Sequence, residues 1–285
     1  MKKNYLRLAS LILALAMVFA LAACGGGGNA AEPKEDTKAE AQSAEGASTA
    51  AEPAVEADTG GKTSIIVGNI NSIEGFDMAN SNNGTGMELV YEALFSLNPD
   101  TGEVENQLAD SYEFVDDCTL KITLKDGITF SNGETLRASD FLWSWNRLRE
   151  KGSNMAERVA WINLEESYTE GDNVLVIKSD EPYGPAITAL STIYLAPLCQ
   201  AYEESSPDES HLWDAPVGTG PYRVKEIAAG SHVTYELRDD YWGAQYGRIY
   251  DVDEITVKYY AEPATMFIDF ETHALDMAFQ LNASD

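Results

Sequence analysis

The stretch LKITLKDGITFSNGETLRASDFLWSWNRL, residues 120–148, contains the pattern that decides the fold. Residues 120–124 alternate apolar and polar side chains, which is the period of a half-buried β-strand. The dipeptides Asp-Gly at 126–127 and Asn-Gly at 132–133 are strong turn signals, because their glycines accept a positive φ. The first half of the stretch therefore predicts a strand followed by two tight turns.

The second half predicts a helix over 141–149. Ser139 and Asp140 are candidate N-caps for it, and aromatic and leucine side chains then recur at helical spacing. The same reasoning predicts further strands at 63–69, 111–115, 173–177, 222–227, 233–237 and 255–260, and further helices at 87–97, 185–190 and 263–272. A last apolar run occupies 275–281. This order is typical of a mixed α/β fold, and it is neither a clean doubly wound sheet nor a sandwich.

Four segments together resemble the peptide/nickel family of ABC solute-binding proteins. They are residues 116–148, PVGTGPY at 216–222, DYWG at 240–243, and Phe-Asp at 76–77 followed by LVYEAL at 89–94. They occur in the order and spacing of that family over nearly all of residues 62–285. Each segment alone has a structural explanation, such as a turn or a buried aromatic side chain. The four in order carry the resemblance.

The resemblance implies a periplasmic-binding-protein-like type II clamp, in which two lobes close around a ligand by hinge bending. It implies that residues 62–285 are the first lobe. We expect residues 62–106 and 206–285 to form its main subdomain and residues 107–205 an inserted subdomain. The family's hinge strand matches residues 276–281, so we expect the second lobe to be largely absent from this chain.

The resemblance also indicates where a ligand binds. The positions that match the family's cleft are Ser81, Asn82 and Asn83, in the loop after the first strand, and Phe279, Gln280 and Leu281, at the hinge. Side-chain amides and backbone groups at these positions suit the polar backbone of a peptide, and water-bridged contacts make such binding tolerant of sequence. A plain surface turn is the alternative for 81–83. Trp161 and Met155 are weaker candidates.

The N-terminus predicts export. Residues 1–23 have a positive start, an apolar run of about fifteen residues, which is shorter than the ~20 that span a bilayer, and small residues before Cys24. This order resembles the lipobox of bacterial lipoproteins, which implies that Cys24 receives a diacylglycerol that attaches the protein to a membrane. Residues 24–61 are polar and acidic and have a single aliphatic residue, Val55. We expect them to be a disordered tether.

Composition excludes several classes of function. The formal net charge of −28 disfavours a nucleic-acid partner. The three histidines are widely spaced, so no metal motif is visible and no cofactor is predicted. No nucleophile with its base appears, so we predict that the protein is not an enzyme. Cys118 and Cys199 are the remaining cysteines, and the sequence leaves their pairing open.

The predicted function is therefore a lipid-anchored receptor on the outer side of the cytoplasmic membrane. It captures oligopeptides or a similar small solute and delivers them to the permease subunits of an ABC importer. We expect a monomer. A peptide-pheromone or sensory receptor of the same fold, a truncated remnant without tight binding, and an extracellular hydrolase are the alternatives.

Overall fold

The computed structural model describes residues 62–73, 75–80, 86–152, 154–206 and 208–279. The predicted signal peptide, Cys24 and the tether lie outside these residues, as do 81–83, Gln280 and Leu281. Within the described ranges, no helix combines the length and the apolar character that crossing a membrane requires.

The elements are named here in chain order. The strands are β1 (Ser64–Asn69), β2 (Phe95–Leu97), β3 (Val104–Asn106), β4 (Ala109–Asp116), β5 (Thr119–Leu124), β6 (Tyr168–Glu170), β7 (Val174–Lys178), β8 (Tyr222–Ala228), β9 (His232–Leu237), β10 (Glu254–Tyr259) and β11 (Met277–Ala278). The α-helices are α1 (Met87–Val90), α2 (Ala138–Lys151), α3 (Ala186–Ala189), α4 (Gln200–Ser205), α5 (His211–Asp214) and α6 (Pro263–Glu271). Short 3-10 helices lie at Asn154–Val159, Ile193–Leu195 and Trp242–Tyr246.

Two larger sheets organise the described chain. One has the strand order β11-β1-β10-β9-β8, with β1 parallel to both β10 and β11, and the other has the order β4-β5-β7-β6. All strands of the first sheet come from 62–106 and 206–285, and all strands of the second come from 107–205. This is the mixed α/β fold that the sequence predicts. The division into a main and an inserted subdomain stays a prediction.

Helices cover both faces of the five-stranded sheet. On one face, Met87 and Val90 of α1 join the core that contains Val67 and Val257. On the other face, Gly68 lets α6 approach closely, because a Cβ at this position would lie 2.8 Å from Cγ of Met266. The absence of a side chain in the middle of β1 therefore lets α6 pack directly on the strand.

The predicted strands are confirmed, with ends that differ by at most about two residues, a usual margin. The N-cap prediction for the long helix is wrong. Helix α2 begins at Ala138 with Arg137 as its N-cap. Asp140 lies inside the first turn, and its carboxylate accepts the backbone N–H of Arg137 at 2.7 Å. An acid in the third helical position can cap in this way, which explains the misplaced boundary.

The predicted helix over 87–97 is also wrong beyond its first turn. Helix α1 ends at Val90, and the chain continues as extended backbone into β2. The carbonyl of Val90 accepts the N–H of Gly220 at 2.8 Å, and the carbonyl of Leu94 accepts those of Gln107 and Ala109. Because residues 90–95 are all buried, this run satisfies helical and extended patterns alike, and tertiary partners decided the outcome.

The four segments of the resemblance meet at one buried place between the two sheets. We call it the sheet joint and define it by Glu92, Gly218, Gly220, Arg238 and Trp242. The carboxylate of Glu92 accepts a hydrogen bond from Tyr241 Oη at 2.7 Å and another from Trp242 Nε1 at 2.9 Å. The guanidinium of Arg238 is fully buried and donates to the carbonyls of Phe130 at 3.0 Å and Gly220 at 3.1 Å. The quoted motifs thus build scaffold.

Candidate functional site

An open apolar depression of about 560 Å³ lies on one face of the five-stranded sheet. Strands β1, β10 and β11 form its floor, and α1 forms one wall. The lining residues are Ile65, Val67, Gly86, Glu88, Leu89, Ile255, Val257, Met277 and Phe279. Seven of the nine lining residues have apolar side chains, so the depression favours an apolar group over a charged one.

Strand register explains why these side chains share a face. In the parallel pair β1–β10, Ile65 lies beside Ile255 and Val67 beside Val257. Strand β11 adds Met277 beside Val67. Because side chains alternate across a strand, residues two apart on each strand point to the same side. The sequence shows three consecutive apolar residues in β1, so periodicity alone did not reveal which of them would face the depression.

A buried phenol lies beneath the edge of the depression. Tyr235 is fully buried on β9, and its hydroxyl has no hydrogen-bond partner among the described residues. A Cβ on Gly86, which has φ +85°, would lie 2.4 Å from that hydroxyl. Burial raises the pKa of the Tyr235 phenol well above its usual range, and the nearby Tyr259 and Glu88 add to this. The phenol is therefore a neutral polar group under the chain that leads out of 81–85.

The structure brings Phe279 to the same depression as Gly86, which is the first described residue after the predicted binding loop. Phe279 is 47% exposed, lines the depression, and donates its N–H to the carbonyl of Gly68 at 2.9 Å. Gly86, which follows directly after 81–85, lines the opposite side. Ser81, Asn82, Asn83, Gln280 and Leu281 lie outside the described residues. The ligand-binding role of all six positions stays a prediction.

A charged cluster holds the other flank of the loop. The guanidinium of Arg147 on α2 binds both carboxylate oxygens of Asp77, at 2.8 and 2.9 Å. Asp77 also accepts the N–H of Ala79 at 3.0 Å and the side-chain amide of Asn80 at 2.7 Å. Four hydrogen bonds to one buried carboxylate therefore fix the backbone that enters 81–85.

The charge of Arg147 decides the protonation of Asp77. Burial alone would raise the pKa of the Asp77 carboxyl, but the hydrogen bonds and charge of Arg147, together with the N–H of Ala79 and the charge of Lys151, outweigh it, so the pKa lies below its ordinary value. Arg147 also binds Glu209 at 2.9 Å, and Lys151 pairs with the same carboxylate. The sequence pointed to Phe-Asp at 76–77 as part of the resemblance, but the partner 70 residues away carried no sequence signal.

The two weaker candidates lie elsewhere. Trp161 stacks on Tyr183, with ring centroids 4.6 Å apart, and both line a narrow hollow beside β5. Met155 is buried in the core around the four-stranded sheet. Neither residue lines the apolar depression. The thiols of Cys118 and Cys199 are free, so these two residues do not pair with each other.

Among the described residues, no three His, Cys, Asp or Glu side chains lie together as a metal site would need.

The sequence of this chain matches a protein family over most of its described length. Residues 103–285 match the model of the bacterial extracellular solute-binding proteins, family 5. Oligopeptide-binding protein OppA of Bacillus subtilis is 25% identical in an alignment of 281 positions that covers 90% of this chain and 46% of that protein. Nickel-binding protein NikA of Staphylococcus aureus is 31% identical over 168 residues, which are 59% of this chain and 31% of that protein.

The fold matches solved structures as well. OppA of Burkholderia pseudomallei superposes with a TM-score of 0.70 at 17% identity, over 78% of this chain and 47% of that one. At this identity the likeness concerns the fold alone. The chain spans less than half the length of each of these relatives.

Proposed function

The chain belongs to the bacterial extracellular solute-binding proteins of family 5, and from this premise we propose that it captures a solute for an ABC importer. It binds reversibly and performs no chemistry on its ligand. It delivers the ligand to the transmembrane permease subunits of the importer. The observation that carries the proposal is the meeting of Phe279 and Gly86, the flank of the 81–85 loop, at one depression.

We propose a peptide as the ligand. In support, similarity to a protein named as oligopeptide-binding extends over 90% of this chain, whereas similarity to the nickel-binding protein covers 59%. The apolar lining of the depression suits peptide side chains. The polar side chains of Ser81, Asn82 and Asn83, together with Gln280, supply hydrogen-bonding groups for a peptide backbone.

We propose that a complete ligand-binding site needs a second lobe. We propose that residues 62–285 belong to one lobe and that the hinge at Phe279, Gln280 and Leu281 leads toward the other. The exposed apolar side chains of Met277 and Phe279 support this, because apolar surface at a lobe boundary gains stability when another surface covers it. Ligand affinity then depends on contacts from both lobes.

The proposed site of action is the outer side of the cytoplasmic membrane. A diacylglycerol on Cys24 attaches the protein, residues 24–61 give it reach, and it acts as a monomer. The motif around Cys24 is the support for this. Mass spectrometry of the protein purified from membranes tests it, with Cys24→Ser as the control. A lipid-free N-terminus on the unsubstituted protein would contradict the anchor.

Calorimetry with defined probes tests the ligand class. The probes are a mixture of tripeptides and pentapeptides, and nickel(II) with free histidine. We expect the peptides to bind a chain extended by a second lobe at least about tenfold more tightly than they bind the 285-residue chain, because half of the contacts are then restored. Binding of the nickel complex without peptide binding would overturn the peptide assignment, and equal affinity of both chains would overturn the two-lobe account.

A matched pair of variants tests the position of the site. Phe279→Ser removes an aromatic side chain from the depression, and Phe270→Ser removes one that is similarly exposed on α6. We expect Phe279→Ser to weaken peptide binding by about tenfold, a usual effect of losing an aromatic contact. Phe270→Ser should leave it unchanged. Equal effects of the two substitutions would contradict the proposed site.

A further inference from the structure

Strand β4 is an unusually exposed edge. It has β5 as its single strand neighbour among the described residues, and their pairing shifts register between 109 and 111 and between 114 and 116. The carbonyl of Asp110 accepts the side-chain amide of Asn106 at 2.7 Å, and beyond Asp110 the outer side of β4 has no strand partner. Every residue from 110 to 117 is exposed. We call residues 110–117 the β4 edge. An exposed edge of this length is a template for pairing with another extended chain.

Aromatic side chains lie along one face of the β4 edge. Tyr112 and Phe114 are 46% and 52% exposed, and their rings pack edge to face with centroids 6.3 Å apart. Tyr112 also packs edge to face on the buried ring of Phe95, with ring centroids 5.3 Å apart. These rings therefore extend the core of the molecule outward onto an open surface. Charged side chains protect a strand edge from unwanted pairing, whereas exposed aromatic rings do not.

The charges of the β4 edge are all negative. Asp110, Glu113, Asp116 and Asp117 lie within eight residues, with no base among them. Asp110 and Glu113 form no ion pair within 4 Å with a described residue. Glu113 lies opposite Lys121, but the ammonium of Lys121 is bonded to Glu170 at 2.6 Å. Two carboxylates of the edge are thus available to a partner.

We propose that the β4 edge binds an extended, basic segment of a partner protein as an added strand. The backbone of that segment pairs with β4, its lysine or arginine side chains face Asp110 and Glu113, and its apolar side chains cover Tyr112 and Phe114. A second copy of this chain is disfavoured, because pairing β4 with another β4 would place four acids against four. This surface shares no residue with the apolar depression.

Peptide titration tests the proposal on the 285-residue chain. The probe is a blocked, fluorescently labelled octapeptide that alternates lysine with valine, followed by anisotropy. The comparison peptides replace every lysine with glutamate, or place proline at every valine position. We expect the lysine–valine peptide to bind at least about tenfold more tightly than either, since glutamate repels the edge and proline removes its donors. Binding of the proline peptide at equal strength would overturn strand addition.

Matched variants separate the β4 edge from the general negative charge of the protein. Glu113→Lys and Phe114→Ser alter the edge. Glu157→Lys makes the same charge change at an exposed residue of a 3-10 helix, and Phe270→Ser removes an exposed aromatic ring on α6. We expect the first two to weaken binding by about tenfold and the other two by less than about twofold.

Two other outcomes would overturn the proposal. Equal losses of peptide affinity in Glu113→Lys and Glu157→Lys would mean that the peptide binds through the net charge of the protein alone. A concentration-dependent dimer in light scattering that Phe114→Ser abolishes would mean that a second copy occupies the edge. Circular dichroism of each variant confirms that it is folded, so a loss of binding reports on the edge.

Discussion

The sheet joint and the apolar depression are built on opposite principles. At the joint, Glu92 is 1% exposed and accepts hydrogen bonds from Tyr241, Trp242 and Arg248. At the depression, the side chains of Met277 and Phe279 are nearly half exposed and contact solvent. The joint is complete within this chain, whereas the depression presents apolar surface for something else to cover.

This difference separates recognition of the family from recognition of the site. Several residues that carry the resemblance lie where two backbones approach closely, as at Gly218 and Gly220. The side chains that line the depression are ordinary Ile, Val and Leu residues that no motif distinguishes. Substitutions at the joint should therefore lower the free energy of unfolding much more than substitutions at the depression.

The largest effect is expected for Gly218→Ala at the joint. A Cβ at Gly218 would lie 2.1 Å from the carbonyl oxygen of Val90, a backbone atom that cannot rotate away. We expect the free energy of unfolding to fall by about 3 kcal/mol, the upper range for overpacking. Urea denaturation measures it. Gly184→Ala is the control, since a Cβ there meets no described atom within 4 Å. Equal losses in both variants would contradict the account of the joint.

A smaller effect is expected for Asp77→Asn, which breaks the ion pair with Arg147 and belongs to neither of the two regions. The substitution leaves the partly buried guanidinium of Arg147 with Glu209 as its remaining acid partner within 4 Å among the described residues. We expect a loss of about 2 kcal/mol at pH 7, below the usual cost of breaking a buried pair because Glu209 remains.

The pH dependence of this variant follows from the direction of the pKa shift. The folded pKa of Asp77 lies below its ordinary value of 3.8, so its stabilisation is present above that pH and is lost as the pH falls through the folded pKa. The difference between the parent and Asp77→Asn should therefore shrink below about pH 4. Urea denaturation from pH 3 to pH 7 measures it, with the exposed Glu157→Gln as the control. A difference that stays constant with pH would contradict the ion pair.

The smallest effect on stability is expected for Phe279→Ser at the depression. The ring is nearly half exposed, so its removal gives up little buried area. We expect the free energy of unfolding to change by about 0.5 kcal/mol, as for other surface substitutions. Thermal and urea denaturation measure this change. A loss as large as that of Gly218→Ala would remove the contrast between the two regions.

The sequence predicted most strands but not all element boundaries. Alternation in β5 and the helical spacing in α2 are local patterns, and the structure confirms both elements. The pattern of 91–97 predicts a helix because residues 91–95 are all buried, and a run without an exposed side does not reveal its period. The short strands β3 and β6 were missed because three residues are too few for a pattern.

The sequence by itself determined the family, the mixed α/β fold and the presence of turns at Asp126-Gly127 and Asn132-Gly133. These follow from neighbouring residues, whose spacing along the chain is fixed. Only the tertiary structure decided that Arg147 forms an ion pair with Asp77, that Gly218 contacts Val90, and that the side chains of Ile65 and Ile255 line one depression. Such contacts join residues far apart in the chain, and they depend on sheet register and packing rather than on any local pattern.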